Sequence, residues 1–227
     1  MNATLKDIHD QILAHFREKQ QDVFNVMALG SNLEKWFQGE IILALINQRG
    51  AKIVSSDYLN KESDDGHSWE EWSAIVKANK AVVSVEGMVF KEKDEGRKAD
   101  VYYEEDNFVM IVEIKICWLS DGNFKNSPAV DAIKKDIKKL SNLDKKSLVS
   151  SRKNKNIYKC IMLCCVIGKD NIGDLLKSLT NGIFFENYLS DDIHDLSEDC
   201  AKEIRGDYRD EYIDPIKDFY IVTIPVA

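Results

Sequence analysis

The sequence predicts an α/β fold, a mixed central β-sheet flanked by α-helices, with its core elements in the order helix, three strands, helix, strand (αβββαβ). Three observations carry this reading. Residues 98–116 alternate apolar and polar side chains on both sides of Asp106-Asn107, the pattern of two strands joined by a tight turn. Amphipathic helical stretches stand before and after that hairpin. The apolar run Tyr158–Ile167 then follows the second helix, and a helix between two strands of one sheet implies a parallel, right-handed crossover.

Taken in order, Leu5 to Gln21 places Leu5, Ile8, Ile12, Leu13 and Phe16 at helical spacing, suited to packing on the main body. His9 and His15 are six residues apart, so they do not share a helix face. Ser31-Asn-Leu-Glu34 is a capping-box pattern that predicts a helix to about Arg49, with Gly50 placed to end it. Leu33, Trp36, Phe37, Ile41 and Ala44 form its apolar stripe, and Glu40 stands in the middle of that stripe. A carboxylate turned toward a core needs a partner, because an unpaired buried charge is strongly unfavourable. A nearby Arg or Trp is the structural option.

Residues 55–66 are polar and irregular, and a short helix is expected over 68–78. Its Trp69 and Trp72 suit packing, with base stacking as the alternative. Ala81–Phe90 has strand composition and would complete a three-stranded meander with the hairpin.

If Asp106-Asn107 is a two-residue turn, cross-strand partners have numbers that sum to 213, so Val101 lies opposite Val112 and Asp100 opposite Glu113. Phe108, Met110, Val112, Ile114 and Ile116 then share one face, and Glu113 and Lys115 point to the other. Two carboxylates with Cβ atoms roughly 5 Å apart repel each other unless a positive group sits between them. A divalent metal ion fits that requirement. The residues between the charges are Val, Ile and Met, the composition of a central strand rather than a solvated edge.

Pro128 opens a helix to about Leu143 with Val130, Ile133, Ile137 and Leu140 on one side and lysines on the rest. After the strand at 158–167 come a short helix over 171–180 and a closing strand, Phe219–Val226.

Ala99-Asp100, then Glu113-Ile-Lys115 in an apolar strand, resembles the signature of the PD-(D/E)XK nuclease superfamily, with Ala99 at the place of the usual proline. The resemblance implies a restriction-endonuclease-like core. It implies that Asp100 and Glu113 hold Mg2+, with Mn2+ able to substitute, and that Lys115 orients or activates the attacking water. It further assigns Glu40 to the metal-assisting glutamate on the first core helix. Asp136 and Lys139 match an Asp-x-x-Lys-Leu segment frequent in the helix after the motif strand.

The length of 227 residues suits one domain, with residues 1–30 as an N-terminal helical extension and 181–214 as an acidic helical or loop insertion. Neither a membrane-length apolar run nor a signal-peptide core is present in the sequence, so a cytoplasmic protein is expected. The cysteines form no CxxC pair, which favours buried free thiols over a zinc site. The net charge of −8 is unfavourable for a nucleic-acid binder, yet it is unevenly spread. Ten Lys or Arg stand against two acids between Lys134 and Lys159, and ten acids against three bases between Asp191 and Asp214. Lys135, Lys138, Lys139, Arg152 and Lys153 are therefore the expected phosphate-facing residues.

The sequence thus points to a magnesium-dependent nuclease, most readily a DNA endonuclease of restriction, phage defence or repair, with RNA as the second substrate option. Double-strand cutting would favour a homodimer. The alternative is a catalytically inactive nuclease-fold protein that binds nucleic acid or a protein partner. A carboxylate-pair acid/base hydrolase fits less well, since Lys115 depresses both pKa values instead of raising one.

Overall fold

The computed structural model of the chain describes residues 3–19, 22, 33–54, 74, 78–88, 98–118, 128–143, 154–166, 169–180, 185–188 and 219–227. Helix α1 (Ala3–Glu18) and helix α2 (Leu33–Arg49) precede the short strand β1 (Lys52–Ile53). Strands β2 (Ala81–Met88), β3 (Lys98–Glu105) and β4 (Phe108–Trp118) follow, then helix α3 (Pro128–Ser141) and strand β5 (Asn156–Val166). Helix α4 (Lys169–Leu179), strand β6 (Phe185–Tyr188) and strand β7 (Phe219–Val226) complete the described elements.

The seven described strands join one mixed sheet in the order β1-β2-β3-β4-β5-β7-β6. β2, β3 and β4 form an antiparallel meander, and α3 carries the chain over to β5, which pairs in parallel with β4 from Phe108↔Asn156 to Trp118↔Val166. The αβββαβ order is therefore realised by α2, the meander, α3 and β5. β1 and β6 lengthen the sheet at its two ends, and neither was anticipated. β6 falls inside the segment expected to be helix or loop.

The sheet carries a core on each face. Met110, Val112, Ile114, Cys160 and Met162 pack with α1 and α2, and Val109, Ile111, Ile161, Leu163 and Cys165 pack with α3 and α4. Period-two alternation delivers both sets from the same two strands. Phe16 of α1 meets Phe37 of α2 with ring centroids 5.0 Å apart, and both rings are fully buried. Each such side chain contributes about 1.5–3 kcal/mol through burial.

Helix α2 ends where Gly50 takes φ 66°, a conformation open to glycine without a Cβ clash. The Gly50 and Ala51 amides donate to the carbonyls of Ile46 and Leu45 at 2.9 and 3.3 Å. Arg49 then ties three elements together, donating to Asp7 and Gln11 of α1 and to Tyr103 and Glu105 of β3 at 2.7–3.0 Å. Cys117, Cys160, Cys164 and Cys165 are buried free thiols, as expected, and Cys200 lies outside the described residues. Among the described residues no helix is long and apolar enough to cross a membrane.

Candidate functional site

The β3–β4 hairpin has the predicted register. Its paired residues run from Glu104↔Val109 to Val101↔Val112, and each pair sums to 213. The ladder stops there, one residue short of the expected Asp100–Glu113 pair. Instead the Ile114 amide donates to Asp100 Oδ2 at 2.7 Å, so the aspartate side chain takes the place of a backbone partner.

Alternation along β3 also breaks at this point. Ala99 packs in the core on the α3 side and Val101 in the core on the α2 side, although residues two apart in a regular strand share a face. The Asp100 carbonyl, turned out of the ladder, accepts a 2.5 Å hydrogen bond from Gln38 Nε2 of α2. A local irregularity of this kind re-aims a side chain.

On β4, Glu113 and Lys115 project toward α3. Glu113 is only 4% exposed, and its Oε1 accepts from Lys139 Nζ at 2.5 Å. Lys115 Nζ lies 3.3 Å from Asp136 Oδ2 and 3.8 Å from Glu34 Oε1 of α2. Asp136 and Lys139 are three residues apart on α3, so one helix face answers both strand charges. Burial pushes the Glu113 carboxyl from 4.5 up to about 7; Lys139 opposes the rise, and Asp100 and Asp136 add to it. Burial acts to lower the Lys115 pKa, but Glu34, Asp136 and Asp100 outweigh it and hold the ammonium above its ordinary value.

The site therefore gathers Glu34, Asp100, Glu113 and Asp136 around Lys115 and Lys139. Among the described residues, four carboxylates stand against two ammonium groups, an acidic excess of up to two charges when all are ionised. That excess favours a further cation at the site, and hard oxygen donors are what magnesium takes. Asp100 Oδ1 and Glu113 Oε2 have no hydrogen-bond partner among the described residues, and each is the second oxygen of a carboxylate engaged through its first. Two such oxygens fit an ion that keeps several of its waters. Among the described residues no three His, Cys, Asp or Glu side chains converge into a ready-made metal cage.

Glu40, expected as the metal-assisting glutamate, pairs with residues of the N-terminal helical segment. Its Oε2 lies 2.7 Å from His15 Nε2 and 3.2 Å from Lys19 Nζ, so the partners of this buried carboxylate are α1 and the residue just past its end. The helical turn explains the difference. Glu34 and Gln38, four residues apart, share the face that meets the hairpin, and Glu40 is about 200° around the axis from Gln38. Glu34 also completes the capping-box pattern, a local role that hides its contact and that of Gln38 with the hairpin from a reading of the sequence. Their spacing of four was the available signal. His9 also has a core partner: its Nδ1 is 2.9 Å from Thr223 Oγ1, and burial lowers its pKa to about 4.

Of the expected phosphate-facing residues, Lys135 and Lys138 are exposed on α3, and Lys139 is drawn inward to Glu113. Arg152, Lys153, Trp69 and Trp72 lie outside the described residues.

No family model, curated protein or solved structure matches this chain.

Proposed function

We propose that the protein is a magnesium-dependent nuclease that hydrolyses phosphodiester bonds, DNA being the first substrate to test, on a restriction-endonuclease-like core. One observation carries the reading: Asp100, Glu113 and Lys115 come together where the β3–β4 ladder ends, in a set of described residues with more carboxylates than ammonium groups. Asp100 and Glu113 would hold the ion. Bound there, it would supply Lewis-acid polarisation of the phosphate and a more acidic attacking water.

The chain's own residues account for the rest. Lys115 stays protonated, orients the water and stabilises the negative charge that develops on the phosphate. Asp136 and Glu34 hold the Lys115 ammonium between the two helical layers. Burial of Glu113 excludes solvent and strengthens each of these interactions. Lys135 and Lys138, exposed on α3, offer charge to a phosphate backbone.

A second reading, a non-catalytic nuclease-like binding protein, is favoured by the engagement of Asp100 with Ile114 and of Glu113 with Lys139. A cleavage panel on plasmid and on DNA and RNA oligonucleotides, with magnesium, manganese, calcium or EDTA, tests the two. Cleavage that needs magnesium or manganese and disappears in Asp100→Ala supports the nuclease. Nucleic-acid binding without cleavage in any metal overturns it.

A further inference from the structure

Lys139 and the divalent ion of the preceding reading would seek the same carboxylate. Lys139 Nζ sits 2.5 Å from Glu113 Oε1, on a residue almost wholly removed from water. The lysine itself is not enclosed: its side chain is 28% exposed, and it lies in the last turn of α3 next to exposed Lys138. An ammonium on a four-carbon stem can leave one partner for water at little cost, whereas the carboxylate it leaves cannot remain buried without a cation.

We propose that Lys139 is an exchangeable internal cation, which neutralises Glu113 in the ion-free protein and swings off it when a divalent ion binds. The inference rests on the metal-dependent reading of the site. It assigns Lys139 two positions. In the first it pairs with Glu113 and joins β4 to α3. In the second it joins Lys135 and Lys138 on the exposed side of α3, so that ion binding adds a positive charge to the surface offered to phosphate. Binding of the ion and of a polyanion is then mutually reinforcing, as linkage requires.

The geometry also predicts how a substitution should act. Arginine in place of Lys139 keeps the charge but presents a planar fork that can grip both Glu113 oxygens at once. A cation that binds the carboxylate more firmly is harder to displace. Lys139→Arg should therefore weaken divalent-ion binding by about tenfold, the equivalent of one added charge-assisted hydrogen bond.

The test has two arms, both on the full chain with magnesium or calcium as the probe. Calorimetry compares ion affinity in wild type and Lys139→Arg. NMR of the lysine ε-methylene groups in wild type follows the Lys139 resonance, which should shift and sharpen as the ion saturates. Ion binding with a stationary Lys139 resonance overturns the proposal and leaves the metal-site reading standing, as does equal affinity in a folded Lys139→Arg. Absence of ion binding to wild type overturns both. If Lys139→Arg does not fold, the wild-type NMR arm decides alone.

Discussion

Glu113→Gln should make the ion-free protein more stable at mildly alkaline pH, because the native carboxylate is held against its preference for the neutral form. Burial, with help from Asp100 and Asp136, raises its folded-state pKa from 4.5 to about 7. The folded state therefore holds this proton more tightly than the unfolded chain does. Its stabilising contribution is complete below 4.5, declines as pH rises through the window, and is gone above about 7. The rise corresponds to about 3 kcal/mol of stability lost between those limits. Glutamine keeps the shape, stays neutral and escapes that loss. For a chain of this size the gain at about pH 8 equals roughly 2–4 °C in Tm per kcal/mol. Urea denaturation of wild type and Glu113→Gln in EDTA, across this pH range, measures the effect. The two proteins should differ little near the acid end and diverge as pH rises, and saturating magnesium should restore the wild type alone. Parallel pH profiles, or a glutamine variant less stable than wild type at about pH 8, would refute the reasoning.

Three further outcomes are expected. Lys115→Ala should lower cleavage by roughly 10²-fold or more, the scale of a lost transition-state charge partner, and leave calorimetric ion binding in place; near-normal cleavage excludes the assigned role. Glu40→Ala removes the partner of His15 and Lys19 and should cost about 3 kcal/mol in chemical denaturation with cleavage per folded molecule unchanged. A stable but inactive variant would return Glu40 to the active site. Lys135→Ala combined with Lys138→Ala should reduce the salt dependence of DNA binding by roughly one to two in the log–log slope, about 0.9 per phosphate contact. An unchanged slope moves the binding surface off α3.

Much of this architecture could be read from residue order because the hairpin combines two independent signals. Alternation fixes which side chains share a face, and the short turn fixes the register, so Val101↔Val112 follows from arithmetic. What happens at Asp100 does not follow. At the end of the ladder a side-chain oxygen captures the Ile114 amide and Gln38 captures the Asp100 carbonyl; spacing puts Gln38 on the face of Glu34 but predicts neither capture. The stripe on α2 was equally legible, including the oddity of Glu40 within it. Its partner was not, because the choice between α1 and the hairpin depends on how two helices cross. His15 on α1 and Lys19 just past its end stand four apart, a spacing that places both toward one neighbour once that neighbour is known. β1 and β6 escaped notice for a simpler reason: two and four residues are too few to display a period.

The strand order on the far side of the sheet bears on how the chain reaches this state. β7 lies between β5 and β6, yet residues 167–218 separate it from β5, so β6 has no place in the sheet until β7 has arrived. The β3–β4 hairpin, which carries Asp100, Glu113 and Lys115, is the most local strand pairing among the described residues and costs the least loop-closure entropy of them to form. The folding nucleus is then expected in the half that holds the charges, with docking of β7 as the expected late event. Core truncations in β7, at Val222 for instance, should hasten unfolding and leave the refolding rate nearly untouched, whereas truncations at Val112 should slow refolding itself.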